Sequence, residues 1–381
     1  MRRVIAIFFM VSFIFCACKD PFTPEVEAQY KNLLVVEGFI NIGGETMIKL
    51  SRTGDLQDWQ TFIPEKNAAI SIEGDKGTLL SGSSGDDGRC TLPTHTLTLN
   101  EKYRFKISTV NGKIYQTDYL ENKQSPEIDS LSFKIENKGF QIYVSTHDDL
   151  NSTRYYNWDY EETWEIHSAF PSAYEFKNGK VIKRDPDVNI AYCWVGNQSS
   201  NILLGNSERL SEDRLTLAPI THVKGNSVKI AHMYSILLRQ YGLTGDAYHY
   251  LEKMKKNTEQ IGSIFDSQPS ELRGNITCTS NANEQVIGWI SAGSVSSKRL
   301  FISYQDKPKA GYDWVYAQSC EPLLSPQDSL LYYLAAKNLI IYENRFPQPD
   351  GSVKINYNMA PEECIDCRLR GSNIKPDYWP N

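Results

Sequence analysis

Beyond its first 15 residues the sequence has no long apolar run. None approaches the roughly 18 residues that a membrane helix needs, which excludes any later spanning helix. Basic charge is not in excess either: 40 Lys and Arg stand against 46 Asp and Glu, a net charge of −6. With no basic stripe there is no electrostatic footprint for nucleic acid. No local catalytic signature is present: no G-x-S-x-G, no H-E-x-x-H and no phosphate-cradling glycine loop. The histidines (His95, His147, His167, His222, His232, His249) are scattered, with no pair at metal-ligand spacing. On these grounds no catalytic residue, metal or cofactor is assigned. Glycine and proline, at 24 and 17, are ordinary in number, which rules out a fibre or a long linker.

The start of the chain carries the clearest signal. Arg2 and Arg3 form a basic head, and Val4 to Phe15 is an apolar run broken only by Ser12. That run is too short to cross an apolar layer about 30 Å thick, and with its basic head it reads as a secretory signal. Phe15, Cys16, Ala17 and Cys18 resemble the bacterial lipobox, with Phe15 and Cys16 at positions where Leu and Ser or Ala are commoner. The expectation is a signal peptide over 1–17, cleavage after Ala17, and a lipid on Cys18. A water-soluble body would then hang from a membrane surface by several acyl chains, the number that makes anchoring firm. Lys19 follows the lipid cysteine, so nothing resembles an inner-membrane retention signal. Asp20 resembles the surface-export tags of Bacteroidota lipoproteins.

Six cysteines remain after Cys16 and Cys18: Cys90, Cys193, Cys278, Cys320, Cys364 and Cys367. An exported chain favours their oxidation, and up to three disulfides are open to them. Cys364 and Cys367 form a lone C-x-x-C. With no second pair and no nearby His, it reads as structural rather than zinc-binding. At least one of the two is expected to bond a distant partner such as Cys320 or Cys193, stapling the tail to the body.

The rest reads as strands. Residues 18–31 are polar with two prolines and form a tether. "LLVVEGFI", "TMIKLSR" and "AAISIEG" alternate between apolar and polar, as half-buried strands do. "YRFKISTVNGKIYQTD" is a hairpin with Asn111-Gly112 as a two-residue turn. Short strands spaced by turns over residues 32–124 predict a β-sandwich. "ENKQSPEIDSL" marks a boundary, and 125–381 is a second β-rich domain. The fold class expected is mainly β: two β-sandwich domains in series, immunoglobulin- or transthyretin-like, with minor helices. In "YYNWDYEETWEIH" the residues Tyr156, Trp158, Tyr160, Glu162, Trp164 and Ile166 share a core face, with Glu162 placed near an edge. The opposite face is expected to be wet and acidic. Glu161 and Glu162 point to opposite sides, so they cannot act as a glycosidase pair. Helical insertions are predicted at about 244–265, capped by Thr244, and at 325–338, with Ser325 as cap and Pro326 at the first helical position. The second leads into a final strand and an irregular, cysteine-containing tail.

Two features invite a chemical reading. His147-Asp148-Asp149 is suggestive but falls where a strand should turn, and a solvated turn accounts for it. The seven tryptophans include rings flat enough to stack on a sugar, although tryptophan in a strand usually belongs to the core. Trp379 is expected to plug into the body as an anchor.

"ECIDCRLRGSNIKPDYWP" (363–380), together with "LLVVEGFI", "LSRT" (50–53) and "GNITCTSNANEQVIGWISAGSV" (274–295), resembles a Bacteroidota outer-membrane lipoprotein family known as domain of unknown function 4249. The resemblance spans nearly the whole mature chain. It implies β-sandwich domains in series and, because members are often encoded near TonB-dependent outer-membrane receptors, a non-enzymatic accessory role in nutrient binding or uptake. It carries no catalytic residues across. The implied partners are the membrane, through the lipid, and a TonB-dependent receptor. The alternatives are an adhesive or fimbrial subunit and a surface hydrolase with an unfamiliar site. Replacing Cys18 by serine is expected to abolish incorporation of labelled palmitate and release the protein from pelleted envelopes; retention in the pellet would refute lipidation.

Overall fold

Alternation sets the first sheet. In Leu34–Asn41 the side chains of Leu34, Val36 and Ile40 are buried while Glu37 is exposed. Glu45–Arg52 pairs with it antiparallel, Val36 opposite Leu50 and Gly38 opposite Ile48. A second sheet built on Ala69–Gly74, Tyr103–Ser108 and Ile114–Thr117 turns Ile70, Ile72, Phe105, Ile107 and Tyr115 toward the same interior, and side chains of both sheets form one core cluster. This computed structural model describes residues 32–54, 62–259, 272–308 and 320–380. The expected signal peptide, the tether over 18–31 and Cys18 lie outside the described residues. Among those described, no helix is long and apolar enough to cross a membrane.

The hairpin turn differs from expectation. Thr109 N donates to Lys113 O at 3.0 Å and Gly112 N to Thr109 O at 2.9 Å. The loop is therefore three residues, Val110 to Gly112, with Gly112 at φ +81°. A turn followed by a left-handed residue is the usual three-residue hairpin solution, and glycine takes that conformation without a Cβ penalty.

The break expected at 124/125 needs a larger correction, because the first region is completed by chain from far downstream. Ile276–Cys278 adds to Ile114–Thr117. Val286–Gly288 and Ser291–Gly293 then run parallel to Leu34–Asn41, and the second also pairs with Asn122–Lys123. Parallel neighbours need a long crossover; here the crossover is most of the second region. Glycine makes the approach feasible. A Cβ on Gly288 would lie 2.1 Å from the Val36 carbonyl oxygen, and one on Gly293 would lie 2.0 Å from that of Lys123.

The second region also has two sheets around one core. A three-stranded sheet of Ile128–Glu136, Gly139–His147 and Arg214–Lys224 supplies Phe140, Ile142 and Val144. A five-stranded sheet, centred on Tyr155–His167 and Met233–Leu243, supplies Tyr156, Trp158, Tyr234 and Ile236. The buried Gln240 is satisfied between them. It accepts from Trp158 Nε1 at 2.9 Å and donates to Pro126 O at 2.9 Å and Thr146 Oγ1 at 3.0 Å.

Glu162 is not near an edge. Its strand is flanked on both sides, and Glu162 is 2% exposed. It accepts from Tyr234 OH at 2.7 Å and Asn197 Nδ2 at 3.1 Å, and pairs with Lys229 Nζ. A buried carboxylate persists only when paired and hydrogen-bonded in this way. The opposite face is not wet throughout: Thr163 is buried, its hydroxyl 2.8 Å from Tyr378 OH in the tail.

Helix Gly245–Glu259 follows Thr244, whose hydroxyl accepts from Ala247 N at 3.3 Å; residues 260–265 of the expected span lie outside the described residues. The expected helix 325–338 shrinks to Leu330–Ala335. Ser325 and Pro326 instead end the strand Leu323–Pro326, which pairs with Val353–Pro361, and Ser325 donates to Pro326 O rather than capping. Asn338–Pro347 completes this three-stranded sheet, so two long strands stand where one strand and an irregular tail were expected.

Two disulfides tie the tail down. Cys193 bonds Cys367 across 174 residues of sequence, and Cys320 bonds Cys364. Trp379 is buried, 5.6 Å from Phe301 edge to face, with Nε1 donating to Glu165 at 3.3 Å. Cys90 and Cys278 stay reduced and buried in the first core, where burial pushes the Cys90 thiol pKa up.

Replacing Glu162 by alanine strands Tyr234 OH and Asn197 without an acceptor and is expected to cost about 1–3 kcal/mol. Glu162→Gln keeps an acceptor and costs less. Urea midpoints of the two variants check this, and an alanine variant as stable as wild type would refute it.

Candidate ligand-binding cleft

The strand alternation that fills the two cores also decides what faces outward. With Leu34, Val36 and Ile40 turned in, Val35, Glu37 and Phe39 line the outer face of the first sheet. With Tyr156, Trp158 and Tyr160 turned in, Asn157, Asp159 and Glu161 line the outer face of the long strand. Arg239 and Tyr241 join them from Met233–Leu243, and Gln198 from Tyr192–Gln198. The two outer faces enclose a cleft of about 590 Å³, within the range of small-molecule sites. Tyr250, Leu251 and Met254 of helix Gly245–Glu259 and Trp289 of the returning segment also line it.

The polar wall is organised by one arginine. Asp159 and Arg239 are directly opposite across the strand pair. Arg239 Nε donates to Asp159 Oδ1 and Nη1 to Glu161 Oε1, each at 2.6 Å, and Tyr241 OH donates to Asp159 Oδ2 at 2.8 Å. Burial pulls the guanidinium pKa down, but the Asp159 charge and the Glu161 hydrogen bond outweigh it and leave it above the usual arginine value. Burial first, then the Asp159 charge, pushes the Tyr241 phenol up. At neutral pH the arginine is charged and the tyrosine neutral. The side-chain amides of Asn157 and Gln198 take no hydrogen bond from the other described residues.

The remaining surface is mixed: Val35, Phe39, Met47 and Trp289 stand among Glu37, Asn41, Glu45 and Thr91. Phe39 meets Tyr241 edge to face at 5.0 Å, and Tyr250 lies 5.5 Å from Trp289 at 36°. Gly288 N donates to Tyr250 OH at 2.9 Å, which fixes the helix against the returning segment.

Of the residues singled out in the sequence, Trp289 and the acidic row of Asp159 and Glu161 line the cleft, and the others fall elsewhere. Cys193, Cys320, Cys364 and Cys367 form the two disulfides, so the C-x-x-C sends its members to different partners. Trp158 belongs to the core, Trp194 and Trp379 meet at the tail, and Trp59 and Trp314 lie outside the described residues. His147 Nδ1 is 2.8 Å from Asp129, which lifts its pKa. Asp148 accepts from the backbone N–H of Leu150, Ser152 and Thr153, the bonds of a turn. These residues line a smaller hollow of about 300 Å³. Among the described residues no group of three or more His, Cys, Asp or Glu is arranged to hold a metal ion. The cleft residues Phe39, Arg239 and Tyr241 escaped the sequence reading; their one signal was an outward position beside a buried neighbour in a strand.

Arg239→Gln leaves Asp159 and Glu161 facing each other without a counterion. These groups are partly exposed, so the cost is expected to be no more than about 1 kcal/mol at low salt, shrinking at about 1 M NaCl as screening tightens. Urea midpoints at the two salt concentrations measure it; a cost independent of salt would refute an electrostatic role.

A search of curated proteins finds no match to this chain. A family model matches residues 19–299, covering the first region, the returning segment and the second region's sheets up to Arg299, and ending before the 363–380 stretch. The chain belongs to the family described as Domain of unknown function (DUF4249).

Proposed function

We propose that this is a lipid-anchored, non-enzymatic lipoprotein of a Bacteroidota outer membrane, accessory to a TonB-dependent transporter in nutrient binding or uptake. In this reading the two pairs of sheets are β-sandwich domains in series, immunoglobulin- or transthyretin-like, and Cys18 carries the lipid. The observation that carries it is the cleft between their outer faces, where apolar and polar side chains converge as they do in ligand sites. Two further points support it. Both carboxylates on the polar wall are held by Arg239 at 2.6 Å, which suits recognition better than proton transfer. The lipobox-like Phe15 to Cys18 would place the body at a membrane surface.

Affinity purification of the full-length protein from native membranes, followed by mass spectrometry, tests the partnership. A large TonB-type barrel is expected in near-stoichiometric amount. Recovery of the protein alone, or as a polymer of itself, would overturn it.

A further inference from the structure

We propose that the cleft binds a short neutral saccharide; this rests on the reading of the cleft as a binding site. The charge pattern does not single out a simple ionic ligand. A cation meets the Arg239 guanidinium at the centre of the polar wall, and an anion meets Asp159 and Glu161 on either side of it. Of the other lining carboxylates, Glu37 is bound to Lys49 at 3.2 Å and Glu45 is exposed. An extended peptide is disfavoured by topology. The walls are sheet faces, and the main-chain groups of Tyr155–His167 and Met233–Leu243 are committed to neighbouring strands on both sides. The two central strands of that wall therefore offer no main chain for pairing with a peptide.

What the polar wall does offer is a row of planar polar groups. The Asn157 and Gln198 amides each carry both donors and acceptors and have no partner among the described residues, while Glu161 and Arg239 hold each other in orientation. A sugar hydroxyl is itself donor and acceptor, so a row of them can satisfy such groups without bringing net charge. The opposite wall carries Val35, Phe39 and Met47, with Met47 58% exposed, and Trp289 stands nearby. Pyranose rings have an apolar C–H face and a polar rim, which matches a polar wall facing the apolar side chains of Val35, Phe39 and Met47. A cleft of about 590 Å³ suits a ligand of a few rings rather than a polymer.

The test is calorimetry on the full-length protein in detergent, titrated with maltotriose, cellotriose, xylotriose and chitotriose, with trilysine and trileucine as comparisons. Saturable binding of at least one trisaccharide, and of neither peptide, is expected. The double variant Asn157→Ala, Gln198→Ala removes amides that make no hydrogen bond to the other described residues. It should leave the melting temperature unchanged while weakening saccharide binding about tenfold or more, the loss of at least one net hydrogen bond. Trp289→Ala should weaken it as well. Binding of a peptide instead, binding of none of the trisaccharides, or saccharide binding untouched by the double variant each overturns the proposal. A co-purifying barrel without saccharide binding sinks the ligand class alone, and saccharide binding without a barrel sinks the transporter partnership alone.

Discussion

The architecture depends on a parallel pairing made at close quarters. Leu34–Asn41 takes Glu45–Arg52 on one side and residues 286–293 on the other. Backbone approach at that second seam is close enough that a methyl group at Gly288 would strike the Val36 carbonyl. The seam does three things at once. It completes the first core, which includes Ile276, Val286 and Ile290. It leads directly into Val295–Ser303 of the second region's sheet, tying the two β regions together. It also sets Trp289 beside Tyr250 at the cleft.

The cleft follows from that placement rather than from a dedicated loop. Each sheet buries one face and leaves the other to solvent, as antiparallel sheets commonly do, and the seam brings two such outer faces opposite each other. One of them is acidic along the long strand. Its charge is contained by a single guanidinium on the neighbouring strand, so the wall is polar without being strongly negative. A similar solution appears on the buried side of the same strand, where Glu162 is neutralised by Lys229 and hydrogen-bonded by Tyr234. One strand thus carries acidic residues on both faces, with Asp159 and Glu161 answered by Arg239 and Glu162 by Lys229.

Much of the strand content was legible because local alternation reports which face is buried. Leu34–Asn41, Tyr103–Ser108 and Tyr155–His167 all show it in their sequences. What stayed hidden depended on partners distant in sequence. Val286–Gly288 and Ser291–Gly293 are three residues each, too short for a period of two to register. Glu162 looked like an edge residue because Lys229 and Tyr234 lie 67 and 72 residues away. Ser325-Pro326 carries the local signs of a helix start, yet pairing with Tyr357 and Asn356 holds both in a strand, so tertiary contact overrode the cap. The cleft was half visible: Asp159 and Glu161 were readable as an outward acidic row, but nothing local pointed to Arg239 opposite them.

The seam also bears on the order in which the chain acquires its shape. The first region is made early, yet its sheets remain open until residues 276–293 arrive. Until then the free side of Leu34–Asn41 is an unpaired edge, the kind of surface that recruits stray strands. Domains usually mature from the N-terminus as synthesis proceeds; here the earliest segment to emerge is among the last to be sealed. Such long-range closure is slow. It gives the chain reason to be shielded by a chaperone during that interval.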